Sequence, residues 1–153
     1  MAEIVFDRSA LPEFHARLAA LKPDSVRYWG RMTPLHMVRH LRYLFDLSNG
    51  DETAPDRSIP VVRVLLYHLT FRYFTRRWPK NSFKAPDYFV PEPEGDFDAE
   101  RAALGQAAER FVALLEEDPA ATAVTPILGP TPRYKWARIH GAHCNYHFKQ
   151  FGV

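Results

Sequence analysis

Apolar residues recur at intervals of three and four along five stretches of this chain, and a strict two-residue alternation is nowhere sustained. The first spacing places apolar side chains on one face of a helix, whereas a half-buried strand requires alternation. The pattern therefore predicts an all-α protein. With 153 residues, the chain fits a single domain, 1–153, whose core needs neither disulfides nor a metal for folding.

Threonine, proline and glycine residues mark the ends of these helices. Thr33-Pro34 combines a favourable N-cap with a residue suited to the first helical position, and Asn49-Gly50 is a favourable C-terminal stop. The same signal at Thr131-Pro132 predicts the start of the last helix. The predicted helices run over about Ser9–Leu21, Thr33–Asn49, Ile59–Arg77, Asp98–Glu117 and Thr131–Gln150.

A proline-rich segment, Trp78–Phe97, separates the third and fourth predicted helices. Its prolines are incompatible with a helix, and it is too long for a simple connector. Two interpretations fit it equally well. It is either a loop that covers a functional site or a long crossover that the connectivity of a helical bundle requires.

Charge and cysteine content exclude several classes of function. A net charge of +2 without a dense basic stripe argues against a nucleic-acid partner. Cys144 is the only cysteine, so an intramolecular disulfide is excluded and a reducing compartment is compatible. No signal-peptide-like or membrane-spanning apolar run is visible, and we expect a soluble, cytoplasmic protein that does not bind membranes. Nucleophile-elbow, phosphate-loop and dinucleotide motifs are also missing from the sequence.

Three histidines, His140, His143 and His147, fall within roughly 60° of one face of the last predicted helix. The four-residue spacing of His143 and His147 allows two imidazoles to converge on one ion, as in helical zinc sites. Two ligands rarely suffice, so a third must come from another helix, and the second predicted helix offers His40 and His36. Spacing alone leaves metal binding and chance surface placement about equally open.

The remaining candidates have ordinary explanations beside the functional ones. His15 and His68 are expected to be surface or hydrogen-bonded core residues. Cys144 lies at the flank of the histidine face, where a small buried hydrophobe is its expected role. His36 and His140 each lie one turn from a proposed ligand, so each is a candidate for a general base or for a supporting hydrogen bond.

Four segments resemble the DinB-like superfamily and span nearly the whole chain in order. They are Trp29–Leu41, Lys80–Lys84, Asp96–Asp98 and His143–Gly152. The resemblance is to a branch that ends in a histidine-rich helix and Gln-Phe-Gly, and it implies a four-helix bundle with an additional short helix and a long proline-rich crossover loop. It also implies a metal bound by one histidine of the second helix and a His-x-x-x-His pair of the last, which by motif position are His40, His143 and His147. That branch commonly carries a further histidine where this sequence has Tyr146.

Three neutral imidazoles suit zinc or nickel and leave at least one coordination position open. A bound metal lowers the pKa of water to about 7 or deprotonates a thiol, so both hydrolysis and thiol transfer agree with the site. Proteins of the superfamily include thiol-dependent transferases and isomerases and metal-dependent hydrolases. The resemblance therefore implies a small-molecule substrate, with a low-molecular-weight thiol as one candidate.

A different class of function stays open beside the enzyme. In that alternative, the chain is a non-catalytic metal-binding or partner-binding module, and a fourth protein ligand, for instance His36 or His140, would favour it. The resemblance also implies a homodimer, which agrees with the apolar character of the third predicted helix.

Overall fold

The structure is a computed structural model that describes residues 4–59, 61, 72 and 94–153. The third predicted helix and most of the proline-rich segment, with His68, lie outside the described residues apart from isolated positions. In the part of the chain that is described, no helix is both long enough and apolar enough to cross a lipid bilayer.

Helices account for most of the described residues. A 3-10 turn, Arg8–Ala10, leads directly into α1, and the α-helices are α1, Leu11–Ala20; α2, Pro34–Asn49; α3, Phe97–Glu117; and α4, Arg133–Gln150. The helical class is confirmed, and α1, α2 and α3 lie close to the bounds that the sequence predicts.

Local signals explain why α2 begins and ends where it does. The Thr33 side chain accepts a hydrogen bond from the backbone N–H of His36 at 3.2 Å, and Pro34 occupies the first turn. At the other end, Gly50 adopts φ 84°, the left-handed conformation in which glycine commonly terminates helices. These two ends fix the position of His40 within the helix.

The core forms where α1, α2, α3 and α4 pack against one another, and α2 packs most extensively against α3. The apolar faces that the sequence predicts for α1 and α3 point into this core. Aromatic rings dominate it: Phe6, Phe14 and Phe45 contact one another, and Phe111 lies beside Phe45 with ring centroids 5.8 Å apart.

A short antiparallel hairpin precedes α4, where the sequence predicts only helix and loop. Strand β1, Thr122–Thr125, pairs with β2, Gly129–Pro132, and Thr122 lies opposite Pro132. The Trp136 indole N–H donates to the Ala123 carbonyl at 3.2 Å and so joins the hairpin to α4.

The predicted start of the last helix at Thr131-Pro132 is therefore wrong, because the helix begins just after these two residues. Thr131 belongs to β2, and its hydroxyl donates to the Gly129 carbonyl at 2.9 Å instead of capping a helix. The helix begins at Arg133, and Pro132, which precedes it, makes no side-chain cap. The strands were not visible in the sequence because four residues are too few for a clear alternation and each strand owes its structure to its partner.

Two glycines inside helices provide a test of how tightly these elements pack. A Cβ atom on Gly141 of α4 would lie 2.2 Å from the Ile4 carbonyl oxygen, whereas one on Gly105 of α3 would lie 3.4 Å from the edge of the His15 ring. We expect Gly141→Ala to lower the free energy of unfolding by about 1–3 kcal/mol, because the backbone of the N-terminal segment must move.

The matched variant is Gly105→Ala, which we expect to be neutral or to stabilise by up to about 1 kcal/mol because alanine favours helix. Urea denaturation followed by circular dichroism measures both changes. Equal effects of the two substitutions would contradict the close approach of Ile4 to α4.

Candidate metal centre

Three buried histidines meet where α2 faces α4. His40 comes from α2, and His143 and His147 come from successive turns of α4, so that the i, i+4 spacing places both imidazoles on one face. Each of the three residues is only 4% exposed. Histidines are seldom buried in such a group unless a common partner compensates for their desolvation.

The ring nitrogens of these histidines converge. His40 Nε2 lies 3.1 Å from His143 Nε2, and His147 Nε2 lies 2.9 Å from the same atom. One potential ligand atom from each residue lies within 4.8 Å of the other two. The structure thus brings together the three residues that the resemblance names as ligands, and this group can hold a metal ion.

Hydrogen bonding among the three rings cannot satisfy both short contacts well. An imidazole nitrogen carries either one hydrogen or one lone pair, so His143 Nε2 can form one linear hydrogen bond, with either His40 or His147. The other contact then either brings together two groups of the same kind or must share a hydrogen or lone pair that is already in use. A cation between the three nitrogen atoms would satisfy all of them together, which is why the donor set fits a metal.

The surroundings keep two of these rings neutral. Burial lowers the pKa of His143 well below its usual range, and the neighbouring His147, His40 and His140 lower it further. Burial also lowers the pKa of His147 to about 3, with a smaller contribution from His40. Both rings are therefore deprotonated near pH 7, the form of imidazole that ligates metals.

His140 lies one turn before His143 but belongs to a different environment. Its ring stacks on Phe45, with centroids 3.9 Å apart, and its Nε2 lies 2.8 Å from the Ser48 hydroxyl oxygen. Ser48 Oγ also lies 2.9 Å from the Phe45 carbonyl oxygen, to which its hydroxyl can only donate, so it accepts from His140 Nε2–H. Burial lowers the pKa of His140 to about 3. This arrangement favours a structural role for His140 over that of a general base.

The other candidates are not part of the three-histidine group. His36 is half-buried near the start of α2 and is not among the converging ligands. His15 Nε2 lies 3.0 Å from a Glu109 carboxylate oxygen near the protein surface, in agreement with its expected ordinary role. Cys144 is buried, and burial raises the pKa of its thiol, as expected for a small core residue.

Two polar residues of this region were missed by the sequence reasoning. Gln150 Oε1 lies 2.9 Å from His147 Nδ1, and Ser48 bonds to His140. Gln150 follows His147 by three residues and Ser48 follows His40 by eight, so helical spacing places each on the same side of its helix as a histidine. That spacing is the signal by which a search for polar partners would have found them.

Comparison of the chain with protein-family models, with curated proteins and with solved structures finds no match in any of the three. The likeness to the DinB-like superfamily therefore stays a prediction.

The buried His140 generates a pH-dependent stability that can be measured on metal-free protein in a chelator. Its pKa of about 3 in the folded chain lies below the value of about 6.5 of an unfolded histidine, so between these values the unfolded state binds the additional proton. The stability is complete above about pH 6.5 and is lost as pH falls toward 3. We expect His140→Phe to reduce the slope of unfolding free energy against pH by up to about 1.4 kcal/mol per pH unit between about pH 4 and 6.

Ser48→Ala is the matched control, because it removes the hydrogen bond but leaves the imidazole buried. This variant should be less stable than wild type at every pH and should keep the wild-type slope. Denaturant titrations at a series of pH values measure both. A slope that is unchanged in His140→Phe would show that burial does not suppress protonation of this ring.

Proposed function

We propose that this chain binds one divalent transition-metal ion, zinc or nickel, through His40, His143 and His147, and that it is a metal-dependent enzyme of the DinB-like type. The observation that carries the proposal is that these three buried histidines each offer a ring nitrogen as a possible ligand atom, and that these atoms lie within 4.8 Å of one another. The proposed reaction is thiol-dependent transfer or hydrolysis of a small molecule.

The number of ligands supports an enzyme over a closed structural site. Within residues 4–59 and 94–153, the group contains three histidines and no fourth ligand, and His140 is engaged by Ser48. Catalytic zinc sites typically have three protein ligands and an open position, whereas structural sites have four. When bound, the metal would supply Lewis acidity at that open position and would activate a thiol or a water molecule.

The described side chains near the histidines offer no obvious nucleophile of their own. Burial holds the pKa of the Cys144 thiol far above neutral pH, so the thiol is not a ready nucleophile. The Ser48 hydroxyl is engaged by Phe45 and His140. In the proposal, the protein therefore positions the ligands, and the nucleophile comes from a cosubstrate or from solvent. The homodimer implied by the resemblance belongs to the same proposal.

Metal binding is the first test. Protein loaded with zinc or nickel and then dialysed should retain about one ion per chain, as measured by mass spectrometry of metal content and by calorimetric titration. We expect His40→Ala, His143→Ala and His147→Ala each to weaken binding by more than about 100-fold, because loss of an outer partner alone already costs about 10–100-fold.

His15→Ala is the control, since His15 contacts Glu109 and lies outside the group. It should bind the ion as wild type does. Retention of the ion by the three ligand variants, or an equal loss in His15→Ala, would refute the assignment of the ligands.

Activity is the second test. Metal-loaded protein should catalyse addition of glutathione or a related thiol to electrophilic acceptors, or hydrolysis of esters or amides, above the level of a variant in which all three ligand histidines are alanine. Cys144→Ala should keep this activity, because the proposal assigns no chemistry to the buried thiol. If wild-type protein binds one metal with an exchangeable position but never exceeds the triple variant, the non-catalytic metal-binding module is the better explanation.

A further inference from the structure

Gln150, the last residue of α4, lies between the candidate metal centre and the segment that leads into α2. It is 3% exposed. Its Oε1 lies 2.9 Å from His147 Nδ1, and its Nε2 donates to the Trp29 carbonyl oxygen at 2.8 Å. Rotation of this buried amide about its Cγ–Cδ bond would break both hydrogen bonds, so the orientation of the amide is fixed.

The order of donors and acceptors along this chain of contacts has one solution. The Trp29 carbonyl can only accept, so the NH2 group of Gln150 must face it, and the amide oxygen must then face His147. That oxygen can also only accept, so His147 Nδ1 must carry the hydrogen. In a neutral imidazole, the other nitrogen then holds the lone pair, and Nε2 is the nitrogen that lies 2.9 Å from His143 Nε2.

We propose that Gln150 is a positioning residue that holds His147 in the Nδ1–H tautomer, and that the Trp29 carbonyl fixes the orientation of Gln150. The inference rests on the proposed function in so far as the Nε2 lone pair is directed to a metal. Partners of this kind on the second nitrogen of a ligating histidine orient the ring and raise its basicity.

Further contacts support this role, because they hold the end of α4 and the Trp29 segment together independently of the Gln150 side chain. The Tyr28 N–H donates to the Gln150 carbonyl oxygen at 2.7 Å. The Trp29 ring lies 5.7 Å from the ring of Tyr146, which in turn contacts the His147 ring at 5.0 Å. The end of α4 and the segment before α2 therefore form one packed unit around the outer side of His147.

The tautomer itself is the primary measurement. Long-range proton–nitrogen correlation spectra of metal-free protein near pH 7 should show His147 with its hydrogen on Nδ1. In Gln150→Leu, we expect the hydrogen to move substantially to Nε2, where it can donate to His143. Gln150→Glu keeps an oxygen acceptor and should retain the wild-type tautomer, although it loses the donor to Trp29.

Zinc affinity is the second measurement. Gln150→Leu should weaken zinc binding by about 10–100-fold, and Gln106→Leu, at the other glutamine of the sequence, which is exposed, should leave it unchanged. In a His147→Ala background, Gln150→Leu should have no further effect, because a residue that acts through His147 has nothing left to position. A purely structural role would weaken zinc binding by the same factor in both backgrounds.

Failure of this inference and failure of the proposed function give different results. If wild type binds zinc but Gln150→Leu changes neither the tautomer nor the affinity, Gln150 is not a positioning residue. If wild type binds no metal at all, the proposed function fails, and the tautomer of His147 in wild type and in Gln150→Leu still decides the role of Gln150. A His147 that carries its hydrogen on Nε2 in wild type would overturn the inference directly.

Discussion

The imidazoles of His40, His143 and His147 place three nitrogen atoms against one another in a region almost closed to solvent. Each nitrogen can offer either a hydrogen or a lone pair, and protonation is opposed by burial at His143 and His147. The arrangement is therefore costly unless something positive lies between the rings. The packing of α2 against α4 and the polar partners behind the rings hold the rings in place despite this cost. We therefore regard these contacts as parts of the candidate site.

The aromatic core sets the geometry in which the histidines meet. His140 is stacked between Phe45 of α2 and Trp136 of α4, with ring centroids 3.9 Å and 5.3 Å from its own. Phe111 of α3 contacts the same imidazole at 4.7 Å. Three helices thus share one buried ring, and close packing of such aromatic residues leaves little freedom for the helices to shift. Because His143 follows His140 by one turn, the packing of His140 also fixes where the candidate ligands lie.

Much of the fold follows from local features of the sequence. Thr33, Pro34 and Gly50 set the ends of α2, and the apolar spacing of α1 and α3 identifies the faces that are buried. The hairpin before α4 could not be predicted, because each four-residue strand depends on pairing with the other. In addition, a Thr-Pro pair is compatible with a strand as well as with the start of a helix, and here Thr131 lies in the strand. Tertiary pairing therefore overrode the local Thr-Pro signal.

The sequence by itself determined that His143 and His147 share a helical face, because their relation depends only on the helical repeat over four residues. It left His36 and His40 as equal candidates for the third position, and the choice between them came from the family resemblance. Only the tertiary structure decided that His40 contacts His143, although the two residues are 103 positions apart in the sequence. The same holds for the hydrogen bond between His140 and Ser48 and for the position of Gln150 between His147 and Trp29. These contacts depend on how α2 and α4 are rotated against each other. That rotation is set by the volume and shape of the whole aromatic core, which cannot be deduced from any short stretch of the sequence.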